Sequence, residues 1–140
     1  MKRYLITAIA IFALLAPAAA GAGVRHFTGP VVPSGSVSFR ATTHSGKVTK
    51  VRPGFTFTHV PMTCDQGPQT VSGNFNFAMR VKHRHFHGTG VFTGGGTVAV
   101  TGAFTQHGRK AHGTISISGD FTAIGVTGCS GDHNWSAHKG

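Results

Sequence analysis

Acidic residues are nearly absent from this chain, which has no glutamate and only three aspartates, Asp65, Asp120 and Asp132. Catalysis by paired carboxylates needs two acids held in one site, but Asp120 falls on a predicted strand and the other two fall in predicted loops. Ser130, Asp132 and His133 supply the three residue types of a hydrolase triad. The sequence lacks the nucleophile elbow that normally accompanies such a triad. We therefore predict a protein that is not an enzyme, and a secreted hydrolase is the weakest alternative retained.

Cysteines are also few, since the chain has only Cys64 and Cys129. Two isolated thiols without a CxxC pair make a poor zinc site. An even pair in an exported chain is typical of a disulfide, so we predict a Cys64–Cys129 bond.

A hydrophobic run long enough to span a membrane is missing as well. Lys2 and Arg3 precede an apolar run from Leu5 to Leu15, which is followed by Pro17 and a string of small residues. This is the layout of a secretory signal peptide, and the run is shorter than the ~20 residues of a membrane span. We predict a signal peptide over residues 1–22, a single mature domain over residues 23–140 with no transmembrane segment, and a secreted, extracellular or cell-wall-associated protein.

Positive charge dominates what is present. The chain has 13 lysines and arginines against 3 acids, a net charge of +10, which falls to +8 once Lys2 and Arg3 are removed with the leader. Ten histidines add further charge below their ordinary pKa of ~6.5. Such a protein favours anionic partners, here a cell-envelope polymer or glycan. Nucleic acid is not expected, because the phenylalanines do not interleave with basic residues as a stacking platform requires.

The mature chain lacks helical periodicity, and apolar residues alternate with polar ones instead. The alternating sets are Val37 and Phe39, Phe55 and Phe57, Phe75 to Val81, Val98 to Phe104, Ile115 and Ile117, and Phe121. Each set is typical of a half-buried strand. The sequence therefore predicts an all-β antiparallel β-sandwich, jelly-roll or immunoglobulin-like, with about eight to ten strands.

Turn residues separate these strands. Ser45-Gly46 and the Gln106–Lys110 segment are predicted to close hairpins, and the stretch around Gly128 and Gly131 is predicted to be a late loop. The final strand then surrounds Trp135. We expect Trp135 in the core or at a sheet edge, with a sugar-stacking platform as the alternative.

The chain also resembles a family of small secreted β-sandwich domains of actinobacteria. The resemblance covers most of the mature chain and is carried by Val37-Ser38-Phe39, Gly46-Lys47-Val48-Thr49, Cys64, Gly102-x-Phe104, Ala111-x-Gly113-Thr114-Ile115, Cys129-Ser130-Gly131 and Trp135-x-Ala137. These are turn, core and disulfide residues. The resemblance therefore implies a fold and supplies no catalytic motif.

The segment Lys82–His87 is the best candidate for metal binding. On one continuous strand, His83, His85 and His87 would share a face, and neighbouring His-x-His side chains can bind Zn²⁺ or Cu²⁺. Phe86 breaks the odd-numbered apolar phase of Phe75 to Val81, however, and this favours a turn near His83-Arg84. His85 and His87 alone would then form the metal site.

The function predicted from the sequence is a non-catalytic binding or structural module that contacts anionic polymers through a basic, histidine-rich surface. A histidine-based Zn²⁺- or Cu²⁺-binding protein is the first alternative. The candidate surface consists of Arg80, Lys82, His83, Arg84, His85, His87, His107, Arg109, Lys110 and His112.

Overall fold

A computed structural model describes residues 22–140, so the predicted signal peptide lies outside the described residues except for Ala22. The described chain forms ten strands: β1 (Gly23–Val32), β2 (Ser36–His44), β3 (Lys47–Val51), β4 (Phe55–Cys64), β5 (Gly67–Phe75), β6 (Met79–Arg80), β7 (His85–Val91), β8 (Thr97–Phe104), β9 (Lys110–Phe121) and β10 (Val126–Lys139). A short 3₁₀ turn, Thr122–Ile124, links β9 to β10. Within residues 22–140, no helix has the length and apolar character needed to cross a membrane.

All of these strands belong to one antiparallel sheet in the order β5-β4-β2-β1-β10-β9-β8-β7, and β3 joins β2 to β6. The sheet folds over on itself, because Phe39 on β2 lies 6.1 Å from Phe86 on β7 and 5.7 Å from Trp135 on β10, measured between ring centroids. The predicted all-β antiparallel fold is confirmed. Its finer description as a jelly-roll or immunoglobulin-like sandwich stays a prediction.

Alternation along the strands builds the core. On β8, for example, Val98, Val100 and Phe104 are buried and Thr101 is exposed. Eight phenylalanines of the described chain are buried in the same way: Phe27, Phe39, Phe55, Phe57, Phe75, Phe86, Phe104 and Phe121. Trp135 is only 2% exposed. Its predicted core position is therefore confirmed, and the surface stacking platform is wrong.

The Cys64–Cys129 disulfide is present and joins the last residue of β4 to β10. The predicted late loop around Gly128 and Gly131 is wrong, because both residues lie within β10. From Cys129 onward this polar segment pairs with β9 on one side, and β4 pairs with it on the other at Thr63 and Ser130. This pairing keeps Gly131 in the strand, whereas Gly128, with a φ of +59°, lies at an irregularity in the β9–β10 register.

A single strand over Phe75–Val81 is also not observed. Strand β5 ends at Phe75, and β6 contains only Met79 and Arg80. The break arises because β5 pairs with β4 whereas β6 pairs with β3, so the chain changes partner between them. Phe77 lies in this crossing and is 40% exposed.

Candidate functional site

Basic residues concentrate at one end of the sheet, which we call the basic end. At this end β1 begins, β10 finishes, and the β2–β3, β6–β7 and β8–β9 turns lie. The chain has 13 lysines and arginines, and the eleven that remain beyond Lys2 and Arg3 all fall in the half of the sheet nearest this end. They are Arg25, Arg40, Lys47, Lys50, Arg52, Arg80, Lys82, Arg84, Arg109, Lys110 and Lys139.

The strand register brings these distant residues together. Lys50 on β3 is paired directly with Arg80 on β6, and Lys110 on β9 is paired with His138 on β10. The backbone N–H of Lys139 donates to the carbonyl of Arg109 at 2.8 Å. Basic residues from segments that are far apart in the sequence therefore lie together at this end of the sheet.

The three aspartates lie in the other half of the sheet, towards the disulfide. Asp65 follows β4 and accepts a hydrogen bond from the Thr127 hydroxyl at 2.9 Å. Asp120 accepts one from the backbone N–H of Gly128 at 2.7 Å. Asp132 is exposed on β10, on a strand and not in the predicted loop. The two halves of the molecule are thus oppositely charged.

Two of the turns at the basic end are two-residue hairpins with left-handed backbone. Ser45 and Gly46 have φ values of 50° and 78°, and His83 and Arg84 have values of 49° and 68°. Positive φ at both central residues is the signature of the type I′ turn, which matches the twist of paired strands. The predicted turn at His83-Arg84 is confirmed, and Phe86 beyond it is buried.

A cavity of about 380 Å³ opens between the three turns. Its lining includes the basic residues Lys47 and Arg84, the imidazole of His83, and the partly buried Val48 and Val81. The cavity therefore combines positively charged and apolar residues.

Arg25 holds the β8–β9 turn at the edge of this cavity. Its Nη1 donates hydrogen bonds to the carbonyls of His107 at 3.0 Å and Gly108 at 2.9 Å. A Cβ at Gly108 would lie 2.8 Å from Nη1 of Arg25 and 3.0 Å from a methyl carbon of Val48, and its φ is +62°. The positive φ favours glycine here, and a larger residue would also displace the end of the Arg25 side chain that holds the turn.

Histidines also border a shallow depression on the outer face. His85 and His87 are exposed on the same face of β7, and Ala103 separates His85 from His112 across the sheet. The three histidines and Ala103 line a depression of about 530 Å³. In the described part of the chain, no group of three or more His, Cys or acidic side chains is arranged to hold a metal ion. The predicted metal site, if three ligands are not required, is confined to the His85–His87 pair.

The side chains of Ser130, Asp132 and His133 do not come together as a hydrolase triad. Ser130 and Asp132 are exposed on β10, whereas the half-buried His133 places its Nε2 against the carbonyl oxygen of Pro61. Strand alternation puts the histidine on the opposite face from the other two residues.

The sequence-predicted surface is thus placed mostly at the basic end. Five of the predicted basic residues belong to this end: Arg80, Lys82, Arg84, Arg109 and Lys110. Four predicted histidines lie in or near its turns: His83, His85, His107 and His112. The remaining one, His87, lies further along β7. The sequence reasoning missed six basic residues: Arg25, Arg40, Lys47, Lys50, Arg52 and Lys139. The sequence carries a signal for four of them: lysine and arginine are absent from 53–79, 85–108 and 111–138, which leaves Arg40, Lys47, Lys50 and Arg52 as one cluster.

Comparison of the chain with known protein families, curated proteins and solved structures found no match.

Proposed function

We propose that this chain is an exported, non-catalytic module that binds an anionic polymer of the cell envelope at its basic end. The observation that carries the proposal is the segregation of charge, with eleven lysines and arginines in one half of the described sheet and all three aspartates in the other. A basic protein kept soluble by charge alone has no need for this segregation. A surface of one sign attracts a polyanion over the distance set by salt screening.

Binding of residues 23–140 to immobilised polygalacturonate and poly(glycerol phosphate) tests the proposal, with neutral dextran as the control polymer. We expect binding to the two polyanions only, and we expect it to weaken as salt rises. Binding should strengthen from about pH 7.5 to about pH 5.5, because histidine side chains gain protons over this range. Binding that does not change with salt or pH contradicts the proposal.

A pair of variants with equal net charge locates the binding surface. Replacing Lys50 and Arg80 with glutamine removes two exposed charges at the basic end, and we expect about tenfold weaker binding. The matched variant, Thr70→Glu with Ser118→Asp, changes the net charge by the same amount at exposed positions in the other half. Binding should be unchanged in this matched variant, and an equal loss in both variants contradicts a localised surface.

Metal binding is the second candidate function, and it is favoured by the shared exposed face of His85 and His87. This function predicts heat on calorimetric titration with Zn²⁺ or Cu²⁺ at micromolar concentration, and loss of that heat in His87→Gln. His59→Gln is the control, because His59 is exposed on β4, away from β7. A flat titration of the unmodified protein removes the metal function.

A further inference from the structure

The lining of the cavity at the basic end contains apolar residues as well as basic ones. A surface that attracts polyanions by charge alone would need only the basic residues. Val48 and Val81 form an apolar wall that packs on the hydrophobic core, and Lys47 and Arg84 place cationic groups at the same opening. A bare inorganic anion would leave the apolar wall without a partner. A compact ligand with an acid group and a carbon-rich face would satisfy both sides, since pockets of roughly 300–1,000 Å³ combine apolar lining with a few polar groups.

The β6–β7 turn gives a second, independent observation. A type I′ turn is most favourable with Asn-Gly at its centre, because both residues have positive φ. This turn instead holds His83 and Arg84 there, at φ values of 49° and 68°, and both side chains line the cavity. The nearby β2–β3 turn does have glycine at its second position, Gly46. Residues held in an unfavourable backbone conformation cluster at ligand-binding sites, so the strain at this turn indicates that the His83 and Arg84 side chains have a binding role.

We infer that this cavity is a subsite for one acidic sugar unit, with the acid group against Lys47, His83 and Arg84 and the ring against Val48 and Val81. The inference rests on the proposed function, since such a unit is one repeat of an acidic polysaccharide such as polygalacturonate. The inference adds to the proposed function that the basic end recognises a sugar ring and its acid group together, and not negative charge alone. A carboxylate and a phosphate monoester share the required chemistry.

Four small probe molecules separate the contribution of the sugar ring to binding from that of the acid group. Glucuronate carries a ring and a carboxylate, glucose 1-phosphate a ring and a phosphate, glucose a ring alone, and inorganic phosphate an acid alone. In amide NMR titrations, we expect saturable shifts of the Gly46 and Gly108 signals with at least one acidic sugar, at about millimolar concentration, and at least tenfold weaker binding of glucose and of inorganic phosphate. Equal binding of inorganic phosphate and the acidic sugars overturns the inference, as do shifts confined to other regions.

Two turn variants test the role of the strained residues. Replacing His83 with asparagine and Arg84 with glycine installs the favoured turn pair, so we expect Tm to rise by about 5 °C and acidic sugar binding to weaken at least tenfold. The matched variant Ser45→Asn creates Asn-Gly in the neighbouring turn without removing a charge, so Tm should rise while binding stays within about twofold. Retained sugar binding in the first variant overturns the inference.

The outcomes also separate this inference from the proposed function. If the polyanions bind but no acidic sugar shifts Gly46 or Gly108, the proposed function stands and the subsite is wrong. If the polyanions do not bind, the proposed function itself is wrong.

Discussion

Removal of the Cys64–Cys129 bond is expected to lower the free energy of unfolding by about 4 kcal/mol. The two cysteines are separated by 65 positions, so the bond closes a long loop and strongly restricts the unfolded chain. The bond also lies where β4 and β10 share a single registered pair, Thr63 with Ser130. A domain of this size is stable by only about 5–15 kcal/mol, so the loss would take a large part of the total.

Urea unfolding of the double variant Cys64→Ala, Cys129→Ala measures this effect, together with unfolding of the reduced wild-type protein. The two should agree, and reductant should not change the variant further. Three hydrogen bonds remain in the variant and keep β4 near β10 in the folded state: the Gln66 amide donates to the Thr127 hydroxyl, that hydroxyl donates to the Asp65 carboxylate, and the Thr127 backbone N–H donates to Gln66 Oε1. A loss below about 1 kcal/mol would contradict the assignment of the bond as the main restraint on this loop.

Replacement of Phe39 with alanine is expected to lower the free energy of unfolding by about 3–5 kcal/mol. Phe39 is 3% exposed and lies at the centre of the core. Its ring is stacked on Phe27 and on Phe55, each at 5.0 Å, and meets Trp135 edge-on at 5.7 Å. Truncation would leave a cavity between strands that belong to opposite sides of the folded sheet.

Phe77→Ala is the matched control for this core variant. Phe77 is 40% exposed, and its ring contacts Phe75 at 5.5 Å. The same change of side chain should therefore cost only about 1 kcal/mol. Equal losses at the two positions, measured by urea unfolding, would show that the core is not organised around Phe39.

The strands and most of the turns could be predicted from the sequence, because both depend on local patterns. Alternation at Val37 and Phe39 reports which face of β2 is buried, and the phase change at Phe86 located the turn at His83-Arg84. Strand pairing could not be predicted in the same way. The break after Phe75 and the length of β10 depend on which strands lie alongside, and hydrogen bonds to a partner leave no trace in the local pattern.

The residues of the candidate site could likewise be predicted only where they are close together in the sequence. The sequence clusters Arg80 to His87 and His107 to His112, and both clusters were recognised. Arg25 was missed because it is a lone basic residue until the register places it beside the others. Lys50 and its neighbours Lys47 and Arg52 were missed because the local pattern does not show that β3 lies beside β6. The cavity could not be predicted from the sequence either, since its lining comes from three turns that are distant along the chain.

The separation of charge along the strands has a kinetic consequence. A molecule with positive and negative ends is an electric dipole, and a polyanion rotates such a molecule before the two touch. Encounters then begin with the basic end leading, so a larger share of collisions is productive. Added salt should consequently slow association more than it speeds dissociation, and the disulfide end should face outward in the bound state.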